Sequence, residues 1–110
     1  MTPKKINGKI ARKLGYQKCH PWDSLITPTG RRQSFCPDFI NDLNECARME
    51  ATLNFADQER YGRTLAEICI GKEWSEPDFN PNGWGWFSAI NATPKQKCEA
   101  ILRVWGLWED

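Results

Sequence analysis

Apolar positions recur at helical steps in four parts of the chain. Between Lys4 and Leu14, the residues Ile6, Ile10 and Leu14 follow one another every four positions with Ala11 beside them. This spacing predicts an amphipathic helix whose exposed side carries Lys9, Arg12 and Lys13. Gly15 stands where a helix ends in the left-handed conformation. Gly8, inside the helix, costs it about 1 kcal/mol relative to alanine. A second helix is expected from Pro37 to Leu53, because proline and Asp38 both suit a first turn. Phe39, Ile40, Leu43, Cys46, Ala47, Ala51 and Leu53 line its apolar side, and Asp42, Glu45 and Arg48 fall elsewhere.

Asn54 is placed to cap a third helix, in which Tyr61, Leu65, Ile68 and Cys69 keep helical spacing up to Gly71. A strand from Thr64 to Ile70 is the competing assignment. The last helix has the most explicit start. Thr93-Pro94-Lys95-Gln96 offers a capping box with proline at the first helical position. Cys98, Ile101, Leu102 and Trp105 form its buried stripe, Gly106 terminates it, and Leu107 or Trp108 ties down the residues that follow.

Between these elements the pattern lapses. Residues 16–36 are punctuated by Pro, Gly and Thr, with Thr27-Pro28-Thr29-Gly30 shaped for a β-turn and short strands near Leu25-Ile26 and Gln33–Phe35. Residues 72–86 read as a loop, and Trp86–Ile90 as a short strand. The fold class expected is α+β: one α-rich domain spanning residues 1–110, with about four helices and a small β-sheet.

Composition changes this picture at one point. Six tryptophans in 110 residues is a surplus. Trp105 and Trp108 belong to the last helix and its tail, but Trp22, Trp74, Trp84 and Trp86 lie in the irregular segments. An indole there either plugs the core or faces a ligand. In an extended segment Trp84 and Trp86 project to the same side and could stack a base or grip a peptide.

Charge is polarised. Residues 1–32 hold eight basic side chains against Asp23 alone, a net +7, and residues 33–110 hold seven basic and thirteen acidic ones, a net −6. Either the two parts attract and steady one another, or Lys9, Arg12 and Lys13 with Arg31 and Arg32 form a basic face for an acidic partner. Such a face could meet the phosphates of a nucleic acid, although the near-neutral pI of about 7.6 is unlike most nucleic-acid-binding domains. The sequence has no apolar run of about 18 residues for a membrane span. Nor does an apolar stretch follow the basic N-terminal residues, so no secretory leader is expected.

Chemistry has few candidates. The five cysteines, at 19, 36, 46, 69 and 98, are odd in number and widely spaced, which favours reduced thiols in a cytosol. No Cys-x-x-Cys pair is present, and adjacent Cys19-His20 is a poor chelating step for zinc. Cys46, Cys69 and Cys98 sit on apolar stripes, where a thiol behaves as a small hydrophobe. His20 is the sole histidine and no nucleophile elbow accompanies it, so a small metal- or thiol-dependent enzyme is the weakest reading. The carboxylate pairs Asp38 and Asp42, and Asp57 and Glu67, read as solvated helix surface. No catalytic residue, metal ligand or cofactor is assigned.

Two segments carry a family resemblance. Pro37-Asp38-Phe39-Ile40-Asn41-Asp42-Leu43-Asn44, followed by Glu50 and Leu53, is one. The other runs from Ala92-Thr93-Pro94-Lys95-Gln96-Lys97-Cys98-Glu99-Ala100 to Gly106-Leu107-Trp108. Together with the N-terminal helix they resemble the phage ABA sandwich domain family, over about two-thirds of the chain. The resemblance implies a layered α–β–α arrangement, a bacteriophage or prophage origin, expression in the host cytoplasm, and no established catalytic residues. It implies an accessory protein that binds a host protein or a nucleotide signal, in the setting of a bacterial anti-phage defence system. The binding candidates are Lys9, Arg12, Lys13, Trp22, Arg31, Arg32, Trp84 and Trp86.

Overall fold

The structure is a computed structural model, and it describes residues 1–19, 24–70 and 91–109. Thr2 begins the first helix, α1 (Pro3–Lys13): its Oγ1 accepts from the Lys5 amide at 3.2 Å, and Pro3 fills a first-turn position that needs no N–H. Gly15, at φ +103°, lets the chain leave through a Schellman turn. The Gly15 amide donates to the Arg12 carbonyl and the Tyr16 amide to the Ala11 carbonyl.

Three short strands follow: β1 (Gln17–Cys19), β2 (Ser24–Ile26) and β3 (Arg32–Gln33). They form an antiparallel sheet in the order β1-β2-β3, with Lys18 opposite Leu25 and Leu25 opposite Gln33. The β2–β3 turn is the one expected at Thr27–Gly30. The Gly30 amide donates to the Thr27 carbonyl at 2.9 Å, and Gly30 takes φ +90° as the residue after the tight turn.

The second helix differs from expectation. The helix α2 spans Leu43–Glu50, capped by Asp42, rather than starting at Pro37. Phe39 and Ile40 instead lie in a turn and are buried. The Asn7 side chain on α1 explains this, since its Oδ1 accepts from the Ile40 amide at 3.0 Å and its Nδ2 donates to Asp38 at 3.1 Å. A tertiary partner satisfies the backbone that a helix would otherwise pair. With the start displaced, Cys46 and Met49 are the buried helical positions and Leu43 is exposed.

The third helix, α3 (Phe55–Ile70), is continuous through the stretch with a competing strand assignment. Asn54 caps it, accepting from the Asp57 amide at 2.8 Å. The fourth described helix, α4 (Pro94–Val104), has the expected capping box: Thr93 accepts from the Gln96 amide at 3.2 Å, and the Thr93 amide donates to the Gln96 side chain at 2.9 Å. Gly106, at φ +73°, closes it with a second Schellman turn.

The core is helical. α4 is its hub, packed on α1, α2 and α3, with Cys98, Ala100, Ile101 and Leu102 fully buried among Ile6, Ile10, Met49 and Leu65. None of the strand residues 17, 18, 25, 26, 32 and 33 belongs to this core, and the sheet packs mainly on itself. Among the described residues the arrangement is therefore α+β, with the sheet beside the helices and not layered between them. Trp105, expected in the buried stripe, is half-buried at the rim.

Candidate functional site

Three of the four lysines of α1 recur at positions 5, 9 and 13, so four-residue steps bring them to one face of the helix. The Schellman turn at Gly106 sends the chain back along that face. Lys5 Nζ lies 2.6 Å from Glu109 Oε2, and Lys9 Nζ lies 3.1 Å from the same oxygen. Lys9 also donates to the main-chain carbonyl of Leu107 at 2.9 Å. Lys13 Nζ sits over the Trp105 ring, 6.0 Å from its centroid. Successive lysines thus meet residues 109, 107 and 105 in reverse order. Glu109's carboxyl is held below its usual range, first by the hydrogen bond from Lys5 and then by that from Lys9. The Glu109 amide donates to Met1 Sδ at 3.3 Å.

This arrangement changes the standing of the basic face. Lys9, expected on the exposed side of α1, is half-buried and engaged twice. Lys13 is exposed but poised over an indole. Arg12, Arg31 and Arg32 stand on the surface, Arg12 in the last turn of α1 and the other two at the β2–β3 turn and β3. Trp22, Trp84 and Trp86 lie outside the described residues, as do Trp74, His20 and the expected loop and strand over 72–90.

An open groove of about 270 Å³ continues the lysine stripe. Lys13, Leu14, Thr52, Leu53, Asn54, Asp57 and Trp105 line it. It forms where the C-terminal ends of α1 and α4 meet the loop from α2 into α3. The groove offers an ammonium, an indole face and a carboxylate. Arg60 pairs with Asp57 of this lining at 3.3 Å and donates to the Val104 carbonyl at 3.2 Å.

A second polar cluster joins three helices. Glu50 of α2 accepts from the Tyr61 hydroxyl at 2.8 Å and from Lys97 Nζ at 3.2 Å. Burial and the Glu50 carboxylate push the Tyr61 hydroxyl well above its ordinary range. Behind it, the Cys46 thiol donates to the Phe39 carbonyl at 3.1 Å. Cys98 makes a hydrogen bond with Cys46, which together with burial raises its pKa. Both thiols are fully buried. Cys36 and Cys69 are half-buried, and desolvation raises both thiols. Three of the four carboxylates weighed as pairs have separate structural duties, and Glu67 is exposed on α3. Asp38 binds Asn7 and Asn41, Asp42 caps α2, and Asp57 pairs with Arg60.

Among the described residues no group of three or more His, Cys, Asp or Glu side chains is placed to hold a metal ion. None of the described helices is long and apolar enough to cross a membrane. No family model matches the chain, and neither a curated protein nor a solved structure matches it.

The sequence reading missed Lys5, Glu109 and the rim position of Trp105. The spacing of three lysines was present as a signal, but their partners lie about a hundred positions away.

Proposed function

We propose that this chain is a non-enzymatic accessory protein that acts by binding a component of the cell in which it is expressed. The observation that carries the reading is the α1–α4 seam, where a lysine stripe runs into an open groove walled by Trp105, Lys13 and Asp57. These are recognition groups set at the rim of the core. A half-buried indole beside an ammonium suits a partner that offers both apolar and charged contacts. Full burial of Cys46 and Cys98 argues against thiol catalysis by this pair. The family resemblance extends the proposal to a bacteriophage or prophage protein in the host cytoplasm. There the partner would be a defence protein or its nucleotide signal, and the outcome would be inhibition of anti-phage defence.

The experiment is affinity capture from bacterial lysate with wild type and Trp105→Ala side by side. A partner retained by wild type at several salt concentrations and lost with Trp105→Ala supports the reading. Failure of wild type to retain any partner counts against it.

A nucleic-acid-binding module is the second reading, favoured by the surface positions of Arg12 and Arg31. It requires oligonucleotide affinity that falls steeply with salt and that charge reversal at Arg12 and Arg31 abolishes.

A further inference from the structure

The lysine stripe of α1 is occupied by the chain's own residues, and the manner of occupation describes a ligand. Four residues of helix advance about 6.0 Å along the axis. Two residues of extended chain advance about 6.6 Å. An extended segment laid along α1 therefore presents alternate positions to consecutive lysines. Here the Leu107 carbonyl and the Glu109 carboxylate take those places on Lys9 and Lys5. The contact faces solvent, with the Lys5 side chain 54% and the Glu109 side chain 49% exposed. Ion pairs in that setting are screened and readily exchanged.

We infer that the Lys5–Lys9–Lys13 stripe is the docking surface for an extended acidic segment of a partner protein, which displaces residues 107–109 and leads an apolar side chain to the Trp105 groove. The inference rests on the binding reading above and names the kind of partner. Residues 107–109 then act as an internal competitor. A peptide fits better than a nucleic acid because Lys9 takes a main-chain carbonyl together with a carboxylate. A polypeptide supplies that combination two residues apart along its own main chain, whereas the backbone of a nucleic acid carries phosphates and sugars, and its carbonyls lie on the bases.

The test is fluorescence anisotropy with a dye-labelled peptide that has the sequence of residues 105–109. It is titrated with wild type, Glu109→Gln and the double variant Glu109→Gln/Lys5→Glu, each checked for helical content by circular dichroism. A competitor docked nine-tenths of the time lowers apparent affinity about tenfold, so Glu109→Gln should bind about tenfold more tightly than wild type. Added salt should erode that gain, and Lys5→Glu should remove it. Equal binding by wild type and Glu109→Gln overturns the inference, as does a gain that survives Lys5→Glu. A gain seen with an oligothymidylate and not with the peptide also overturns it, assigning the stripe to nucleic acid. If a captured partner binds wild type and Lys5→Glu alike, this inference fails while the binding reading stands. If the peptide result holds and the lysate yields no partner, the stripe stands and the wider reading fails.

Discussion

Lys9 holds Leu107 and Glu109 at once, through a main-chain carbonyl at 2.9 Å and a carboxylate at 3.1 Å. One ammonium on the first helix thus anchors the segment that follows the last. The opposite net charges of the two parts of the chain are reconciled in part at this point. Attraction between those parts and a basic face for a partner are consequently not exclusive. On the docking proposal above, the same lysines serve the first and are released for the second.

The clasp should depend on acid. Glu109's carboxyl lies below its ordinary value of 4.5 because Lys5 and Lys9 favour its charged form. A depressed carboxylate adds stability that is present above the unfolded value and disappears as pH falls through the folded value. The clasp is therefore intact above about pH 4.5 and loosens below it. NMR titration of the Glu109 side chain should give a midpoint below that of Glu109 in the Lys5→Gln/Lys9→Gln variant. Coincident midpoints would show that the lysines do not act on it.

Gly8→Ala should stabilise the protein. Gly8 lies inside α1, and a Cβ built there meets no atom within 4 Å. The substitution removes the conformational cost of glycine without a clash, a gain of about 0.8–1 kcal/mol. Urea denaturation should show a higher midpoint with an unchanged slope. A lower midpoint would mean that α1 needs the flexibility.

What could be read from the sequence was local. The Thr93–Gln96 box and the Gly15 and Gly106 terminators act through neighbouring atoms, so they fix the ends of α1 and α4 wherever those helices pack. The start of α2 was illegible for the opposite reason. Asn7 redirects the Ile40 amide from 33 positions away, and no local pattern reports that bond. The candidate site divides in the same way. The lysine spacing on α1 is a local fact, whereas pairing with Glu109 depends on α4 bringing the chain back. Leu43 shows the cost of reading period alone. It keeps helical spacing with Cys46 and is still 57% exposed, because the helix begins there rather than six residues earlier.

Lys97→Met should be costly in a way that depends on Glu50. The Lys97 and Glu50 side chains are only 16% and 28% exposed, and Tyr61 supplies the carboxylate's other donor. Removing the ammonium leaves a half-buried charge with one partner fewer, a loss of about 1–3 kcal/mol. The double variant Lys97→Met/Glu50→Gln should lose less than the sum of the two single changes. Additive losses in a double-mutant cycle would show that the pair is not coupled.

The thiols should sort by burial in a labelling experiment. Cys46 and Cys98 have no exposed surface and sit between α2 and α4, so a reagent reaches them only when the core opens. For a domain of about 5 kcal/mol stability, opening of that kind slows labelling by about three orders of magnitude or more. Cys36 and Cys69 are half-buried and need no such opening, although desolvation keeps them as thiols and moderates their rate. Alkylation of the native protein followed by peptide mass spectrometry should find Cys36 and Cys69 modified first. Cys46 and Cys98 should follow together, at a rate that rises with denaturant. Rapid native labelling of Cys98 alone would require a path to the core that the packing of α4 on α2 does not provide.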